Sequence, residues 1–271
     1  MELSPLRPPS LRRRDALRAG LAGAAWLLMP NAMAQDPVEE DPHGVNARLK
    51  HLLEAPLPHV THRAHLIVPG AARGVVHLPN IHQGDATTEE LKRQVEQSQR
   101  EVAELIEALC RDERVRLTII FNEGVLARGE PPPNLPRSFS VSRQLRLSDR
   151  ALMGAAAYAA ERGLVEERGA EKTETFTAAW NRKNDANWNK VVLEDREDAF
   201  LRIASAEDSG SVCYVAYGEA HDWNNNVAIW NREHPREKFS LVTLCTRESH
   251  TKYVRLGILP PPDPTVEDAP R

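Results

Sequence analysis

The stretch "SVCYVAYGEAHDWNNN", Ser211–Asn226, decides the fold. Val212 to Tyr217 is a run of β-formers without polar alternation, as expected of a strand buried on both faces. The run breaks at Gly218-Glu219-Ala220-His221-Asp222, and a helical pattern begins at Trp223. Asp222 is placed to cap that helix. A strand that stops on a histidine and passes straight into a helix is one β-to-α unit of a parallel sheet. A second unit lies upstream in "GVVHLPNIHQGD", Gly74–Asp85, whose strand also ends on a histidine, His82, ahead of a helix.

Working outward, Thr87 and Glu90 have the spacing of a capping box. Beyond them Leu91, Val95, Val102, Leu105 and Leu109 form one helical stripe, interrupted at Ser98. "VRLTIIF", Val115–Phe121, predicts the next strand, ending on Asn122-Glu123-Gly124, and the Pro-rich "RGEPPPNLPRS" after it predicts a stiff loop that either shapes the cleft or simply crosses the surface. Ala-rich helical patterning covers residues 149–162, "GLVEERGAE" predicts a short strand ending near Glu171, and a polar helical region runs to about Ser205 with a break near residues 184–188. "KFSLVTLCT" is the last strand. The expectation is a single α/β domain over residues 74–259, with a mostly parallel central sheet flanked by helices and polar site residues at the C-terminal ends of strands. Residues 35–73 are Pro- and His-rich without sustained period and predict a tether and lead-in; residues 260–271 predict a disordered tail.

The first 34 residues read as an export signal. A basic start precedes a short apolar stretch, Ala19–Met29, then Pro30 and the small-residue pattern Ala32-Met33-Ala34. Arg13-Arg14-Asp15-Ala16-Leu17-Arg18 resembles the twin-arginine motif, with Ala16 where phenylalanine is more usual, so a periplasmic or secreted location is expected. The segment holds five arginines and two acidic residues, which leaves a mature chain of 237 residues with 30 basic and 37 acidic side chains, net about −7. Such a chain, without a basic cluster, is a poor partner for nucleic acid, and no other apolar run reaches membrane-spanning length. Cys110, Cys213 and Cys245 form no CxxC, and the latter two lie in apolar runs, which favours buried thiols while leaving room for one disulfide. His59, His62 and His65 in "HVTHRAH" have no acidic or cysteine neighbour and suggest adventitious metal binding at most. No GxSxG elbow, phosphate-cradling loop or GxGxxG is present.

In open α/β sheets ligands bind beyond the carboxyl ends of the strands. Four β-to-α turns here carry polar residues: Asn80 and His82, Glu123, Glu171, and His221 with Asp222. Any one of them alone is more simply a cap or a surface group. Together, two imidazoles and a carboxylate are a common ligand set for a catalytic divalent metal.

These residues resemble the TraB/Tiki and ChaN/erythromycin-esterase-like superfamily, which is marked by two Gly-x-x-His motifs and an intervening glutamate. Gly218-Glu219-Ala220-His221 matches the second motif, Glu123 the glutamate, and "PNIH", Pro79–His82, the first motif with proline in place of glycine. Glu171 matches the acidic end of the third-strand segment, and Arg196 in "EDREDAF" a helix arginine ahead of the second motif. The resemblance covers roughly Gly74 to Thr246. It implies an exported metal-dependent hydrolase, peptidase or esterase in type, acting on a peptide or a small molecule. His82 and His221 would ligate Zn²⁺ or Mn²⁺, Glu123 would be third ligand or general base, Glu171 would hold a ligating imidazole, and Arg196 would stabilise an oxyanion. Without metal, a histidine base steered by Glu123 is implied. The ChaN-like branch implies the alternative of a non-catalytic binder of haem or another small ligand, for which Tyr214, Tyr217 or a histidine is available as a haem ligand, and Pro79, which alters the first turn, leaves room for an inactive relative.

Overall fold

The computed structural model describes residues 44–81, 88–131, 154–182, 189–208, 210–218 and 220–255. The expected export signal, His82, Thr87, most of the Pro-rich loop, the expected helix break, Glu219 and the expected C-terminal tail lie outside the described residues. The described chain runs α1 (Val45–Glu54), β1 (Val60–Leu66), β2 (Arg73–Asn80), α2 (Glu89–Arg111), β3 (Ile119–Leu126), α3 (Ala155–Glu161), β4 (Glu166–Glu171) and α4 (Thr173–Arg182). A π-helical segment (Asn189–Glu194) then leads into α5 (Asp195–Ser205), β5 (Val212–Gly218), α6 (Trp223–Glu233), β6 (Phe239–Thr246) and α7 (Arg247–Arg255). Six strands form one sheet in the order β1-β6-β2-β5-β3-β4. Every neighbouring pair is parallel except β1 with β6. The fold is thus the expected α/β domain with a mostly parallel sheet between helices.

Two apolar cores cover the two faces. On one, Leu49 and Leu52 of α1, Leu105, Ile106 and Leu109 of α2, and the alanines of α3 pack on Val76, Leu78, Ile120, Tyr214 and Val242. On the other, Phe200 and Leu201 of α5 and Trp223 and Val227 of α6 pack on Val75, Phe121, Val215, Tyr217, Phe239 and Leu241. Each large side chain fully buried this way contributes about 1.5–3 kcal/mol.

This layering creates a switch point. The connection from β2 through α2 leaves along the first face toward β3, whereas the connection from β5 through α6 leaves along the second toward β6. β2 and β5 are adjacent and in register, with Asn80 beside Gly218 at their carboxyl ends. Two neighbouring strands whose connections part to opposite faces leave a crevice at that edge. Pro79 fits here because the β2–β6 register runs only to His77, so its missing N–H costs no ladder bond to β6. Its carbonyl accepts the Ser249 hydroxyl at 2.7 Å.

Several expectations need correction. Part of the stretch read as a lead-in belongs to the domain: α1 buries Val45, Leu49 and Leu52, and β1 is the antiparallel edge of the sheet. An edge strand with mostly half-buried side chains carries little apolar signal. The strand β3 continues past Asn122 to Leu126, because a register shift between those residues, with Gly124 at φ 76°, bulges it instead of ending it. Thr88 caps α2, its hydroxyl accepting the Leu91 amide at 3.2 Å. Helix α7, rich in charged residues, had no legible pattern. Ser98, the apparent gap in the α2 stripe, is fully buried and accepts the Ile81 amide at 3.1 Å.

Candidate functional site

The bulge in β3 turns Glu123 toward the ends of β4 and β5. One carboxylate oxygen, Oε2, accepts the Gly218 amide at 2.6 Å, and the other, Oε1, accepts Nη2 of Arg196 at 2.6 Å. Arg196 also grips Glu171 at the end of β4 with both Nε, at 3.2 Å, and Nη2. Glu171 is fully buried and takes two further donors, the Tyr217 hydroxyl at 2.9 Å and the Gly124 amide at 3.3 Å. The Tyr217 ring lies 5.2 Å below the Arg196 guanidinium carbon.

Helix α5 enters this cluster from the π-helical segment, whose Val192 carbonyl accepts Arg196 Nη1 at 3.3 Å. π-Type turns shift helical register and recur at functional sites. Consecutive residues of α5 then serve different partners: Arg196 meets the two strand carboxylates, and Glu197 meets His221.

His221 follows β5 in a turn closed by its own amide on the Gly218 carbonyl, at 3.2 Å. Its Nδ1 lies 2.8 Å from Glu197 Oε1, and its Nε2 faces Glu123 Oε1 at 3.8 Å. The Tyr217 ring meets it edge to face at 4.5 Å. Burial alone would lower the His221 pKa, but the two carboxylates at its nitrogens outweigh that and raise it. Burial likewise opposes the charge of Arg196, while Tyr217, Glu123 and Glu171 hold its pKa well above the usual arginine value. Tyr217 is pushed up by burial and by Glu171, so it stays a neutral donor. Asp222 caps α6, accepting the Asn224 amide at 3.2 Å.

Glu123, Glu171, Arg196 and His221 are therefore brought together; His82 lies outside the described residues. Some assigned parts change. Arg196 braces two carboxylates with Nε and Nη2 and reaches the Val192 carbonyl with Nη1, a structural use beside the expected oxyanion contact. Glu171 holds Arg196 and Tyr217, and the carboxylate at the His221 ring is Glu197, while the expected contact of Glu171 with the His82 imidazole falls on a residue outside the described ones. Sequence reasoning passed over Glu197, although a signal existed: Arg196 and Glu197 sit one turn before Phe200 and Leu201, on the stripe of α5 that has to be buried.

Of the three donors expected for a metal, His221 Nε2 and Glu123 Oε1 converge. Among the described residues no group of three His, Cys, Asp or Glu side chains is arranged to hold an ion. Both oxygens of Glu123 already accept a donor, one of them the cation Arg196. The described residues alone do not fit a metal. Nor do the tyrosines offer a haem ligand: Tyr217 is committed to Glu171, and Tyr214 is buried in the opposite core. Of "HVTHRAH", His62 stacks on His250 at 4.9 Å and His59 meets Glu104 at 2.6 Å. All three cysteines are free, and burial pushes Cys213 and Cys245 up to about 12, out of reach of nucleophilic use. No described helix is long and apolar enough to cross a membrane.

No protein-family model, curated protein or solved structure matches the chain.

Proposed function

We propose that the chain is a hydrolase of ester or peptide bonds, with His221 as its acid–base group. The observation that supports this is the placement of His221 Nε2 opposite Glu123 Oε1 at 3.8 Å, at the carboxyl end of β5 next to β2. One water bridges such a span with hydrogen bonds of ordinary length to both atoms. His221 takes a proton from that water as it attacks the carbonyl carbon and returns it to the leaving group. Glu123 orients the water through its second hydrogen. Arg196 holds Glu123 in place through Nη2, and its contacts with Glu171 and Tyr217 fix the guanidinium. Glu123 and Arg196 retain the exposed side-chain surface of this group, 11% and 8%, so substrate approaches from their side. The resemblance to the erythromycin-esterase-like branch supports the same roles for histidine and glutamate.

The metal-dependent form of this reading has one observation in its favour, the convergence of the same two atoms, with His82 proposed as the third ligand. A bound divalent ion would supply water of lowered pKa.

The test is a screen of chromogenic esters and peptides with the exported protein carrying no histidine tag, together with its metal content by mass spectrometry. The variants are His221→Gln, Glu123→Gln and His82→Ala. Turnover lost in the first two, in protein free of metal, with a rate that rises only above pH 6.5 because the His221 pKa is raised, supports the acid–base reading. One equivalent of metal, lost with His82→Ala, transfers the proposal to the metal-dependent form. Turnover that survives His221→Gln overturns both.

A further inference from the structure

We infer that Asn226 is a positioning residue, whose side-chain amide brackets Arg196 and Glu197 and fixes the register in which α5 presents them to Glu171, Glu123 and His221. What this means for catalysis rests on the reading of that cluster as the site; the geometry itself does not. Asn226 is buried on α6, and its Nδ2 donates to the Glu194 carbonyl at 3.0 Å and to Asp198 Oδ1 at 2.8 Å. A carbonyl and an ionised carboxylate only accept, so these partners fix which way the amide faces, and both of its hydrogens are spent. The two acceptors stand four residues apart, about one helical turn, with Arg196 and Glu197 between them.

Glu194 closes the π-helical segment and Asp198 lies in the first turn of α5, so the amide spans the junction at which the helix changes register. A slip of α5 by one residue would bring Glu197 or Ala199 to the place of Asp198. Ala199 offers the amide no side-chain acceptor, and Glu197 in that place would leave His221, from which it now lies 2.8 Å. The same slip would take Arg196 from its contacts with Glu123 and Glu171. Asn226 can hold this register because it shares a helix start with the histidine. Helix α6 begins at Trp223, directly after His221 and the N-cap Asp222, and Asn226 lies in its first turn. The two helices are thus joined at two levels, by Glu197 with His221 and by Asn226 with Glu194 and Asp198. The second contact determines which residue of α5 the first receives.

The test is the Arg196 Nε–H signal in proton–nitrogen spectra of the full-length protein, assigned by its absence from Arg196→Lys. In the wild type this group is bonded to buried Glu171 and the guanidinium lies over the Tyr217 ring, so its signal is expected apart from those of exposed arginines. Asn226→Leu removes both donors at similar volume. The signal is then expected to shift to the exposed-arginine position or to be lost, in protein that circular dichroism shows to be folded. Asp198→Ala, which removes one acceptor, is expected to move it the same way, whereas Asp198→Asn keeps an acceptor oxygen and the wild-type signal. A residue that only tied two helices together would lower Tm and leave the Arg196 signal unmoved. A folded Asn226→Leu protein with that signal in place therefore overturns the inference. If Asn226→Leu does not fold, the two Asp198 variants decide, and an unmoved signal in Asp198→Ala overturns it too. No substrate enters the measurement, so failure of the substrate screen and failure of this inference are separate results.

Discussion

Replacing Arg196 by methionine removes a cation shared by fully buried Glu171 and mostly buried Glu123, and its cost follows from what remains. Glu171, fully buried, keeps the Tyr217 hydroxyl and the Gly124 amide but loses both guanidinium contacts. Glu123 keeps the Gly218 amide and the neighbourhood of His221. Methionine matches much of the lost volume, so the cavity contribution is small and the uncompensated charge dominates. Breaking a buried pair from one side costs about 3–5 kcal/mol. Against a domain stability of about 5–15 kcal/mol that is a large fraction. For a chain of this size, roughly 2–4 °C per kcal/mol gives a fall in Tm of about 6–20 °C. The assay is urea unfolding followed by tryptophan fluorescence and far-UV circular dichroism, for Arg196→Met, Glu171→Gln and the double variant. If charge imbalance is the cause, the double variant is less destabilised than the sum of the single variants by about 1–3 kcal/mol. A single variant within about 0.5 kcal/mol of wild type, or strict additivity, would refute the electrostatic account.

Three further outcomes are expected. His77 is fully buried in β2, neither ring nitrogen makes a hydrogen bond of normal geometry, and burial together with the charge of nearby His221 lowers its pKa from 6.5 to about 3. The unfolded chain therefore takes up a proton that the folded chain refuses. Stability is full above about pH 6.5 and is lost as pH falls from there through about 3, by about 2 kcal/mol at pH 5. His77→Leu should flatten that slope in urea titrations at pH 5 and 7, and an unchanged slope would remove His77 as its cause. Gly169→Ala should lower stability by about 3 kcal/mol or more, read as lost soluble yield or urea midpoint, because a Cβ there falls on the backbone carbonyl of Leu126. Thr88→Ala should lower the urea midpoint by the equivalent of about 1 kcal/mol, the usual cost of losing an N-cap, and no shift would mean the cap is idle.

The features that were legible in the sequence share a physical origin. β2, β5 and β6 are buried on both faces, so their apolar runs stand out, and Asp222 is a cap with a local signature. The gathering of Glu123, Glu171 and His221 was legible because parallel strands bring their carboxyl ends to one edge whatever their separation along the chain. What stayed hidden was set by tertiary context. The edge strand β1 borrows its order from pairing with β6, and the bulge in β3 looks in sequence like a strand end, since Asn-Glu-Gly is ordinary turn chemistry. Which carboxylate meets which partner depends on the register of α5 after the π-helical segment. A shift of one residue there would put Asp195 or Glu197 in the place of Arg196, and nothing local in "EDREDAF" fixes it.

That dependence bears on why the cluster is read as a site. Three carboxylates, one guanidinium and one imidazole, all nearly buried, are an inefficient way to hold a sheet to a helix. The desolvation of such groups consumes most of what their attraction returns, and well-packed apolar side chains in their place are often neutral or stabilising. The chain also departs from regular geometry twice nearby, with the bulge between Asn122 and Leu126 and the π-helical segment Asn189–Glu194. The first delivers Glu123, the second Arg196 and Glu197. Regular alternatives for both were open to a fold that needed only stability, because β3 has apolar residues on either side of the bulge and α5 has Phe200 and Leu201 one turn further on. Irregular backbone and buried charge that converge on one histidine at a topological switch point are what the proposed chemistry at that histidine would account for.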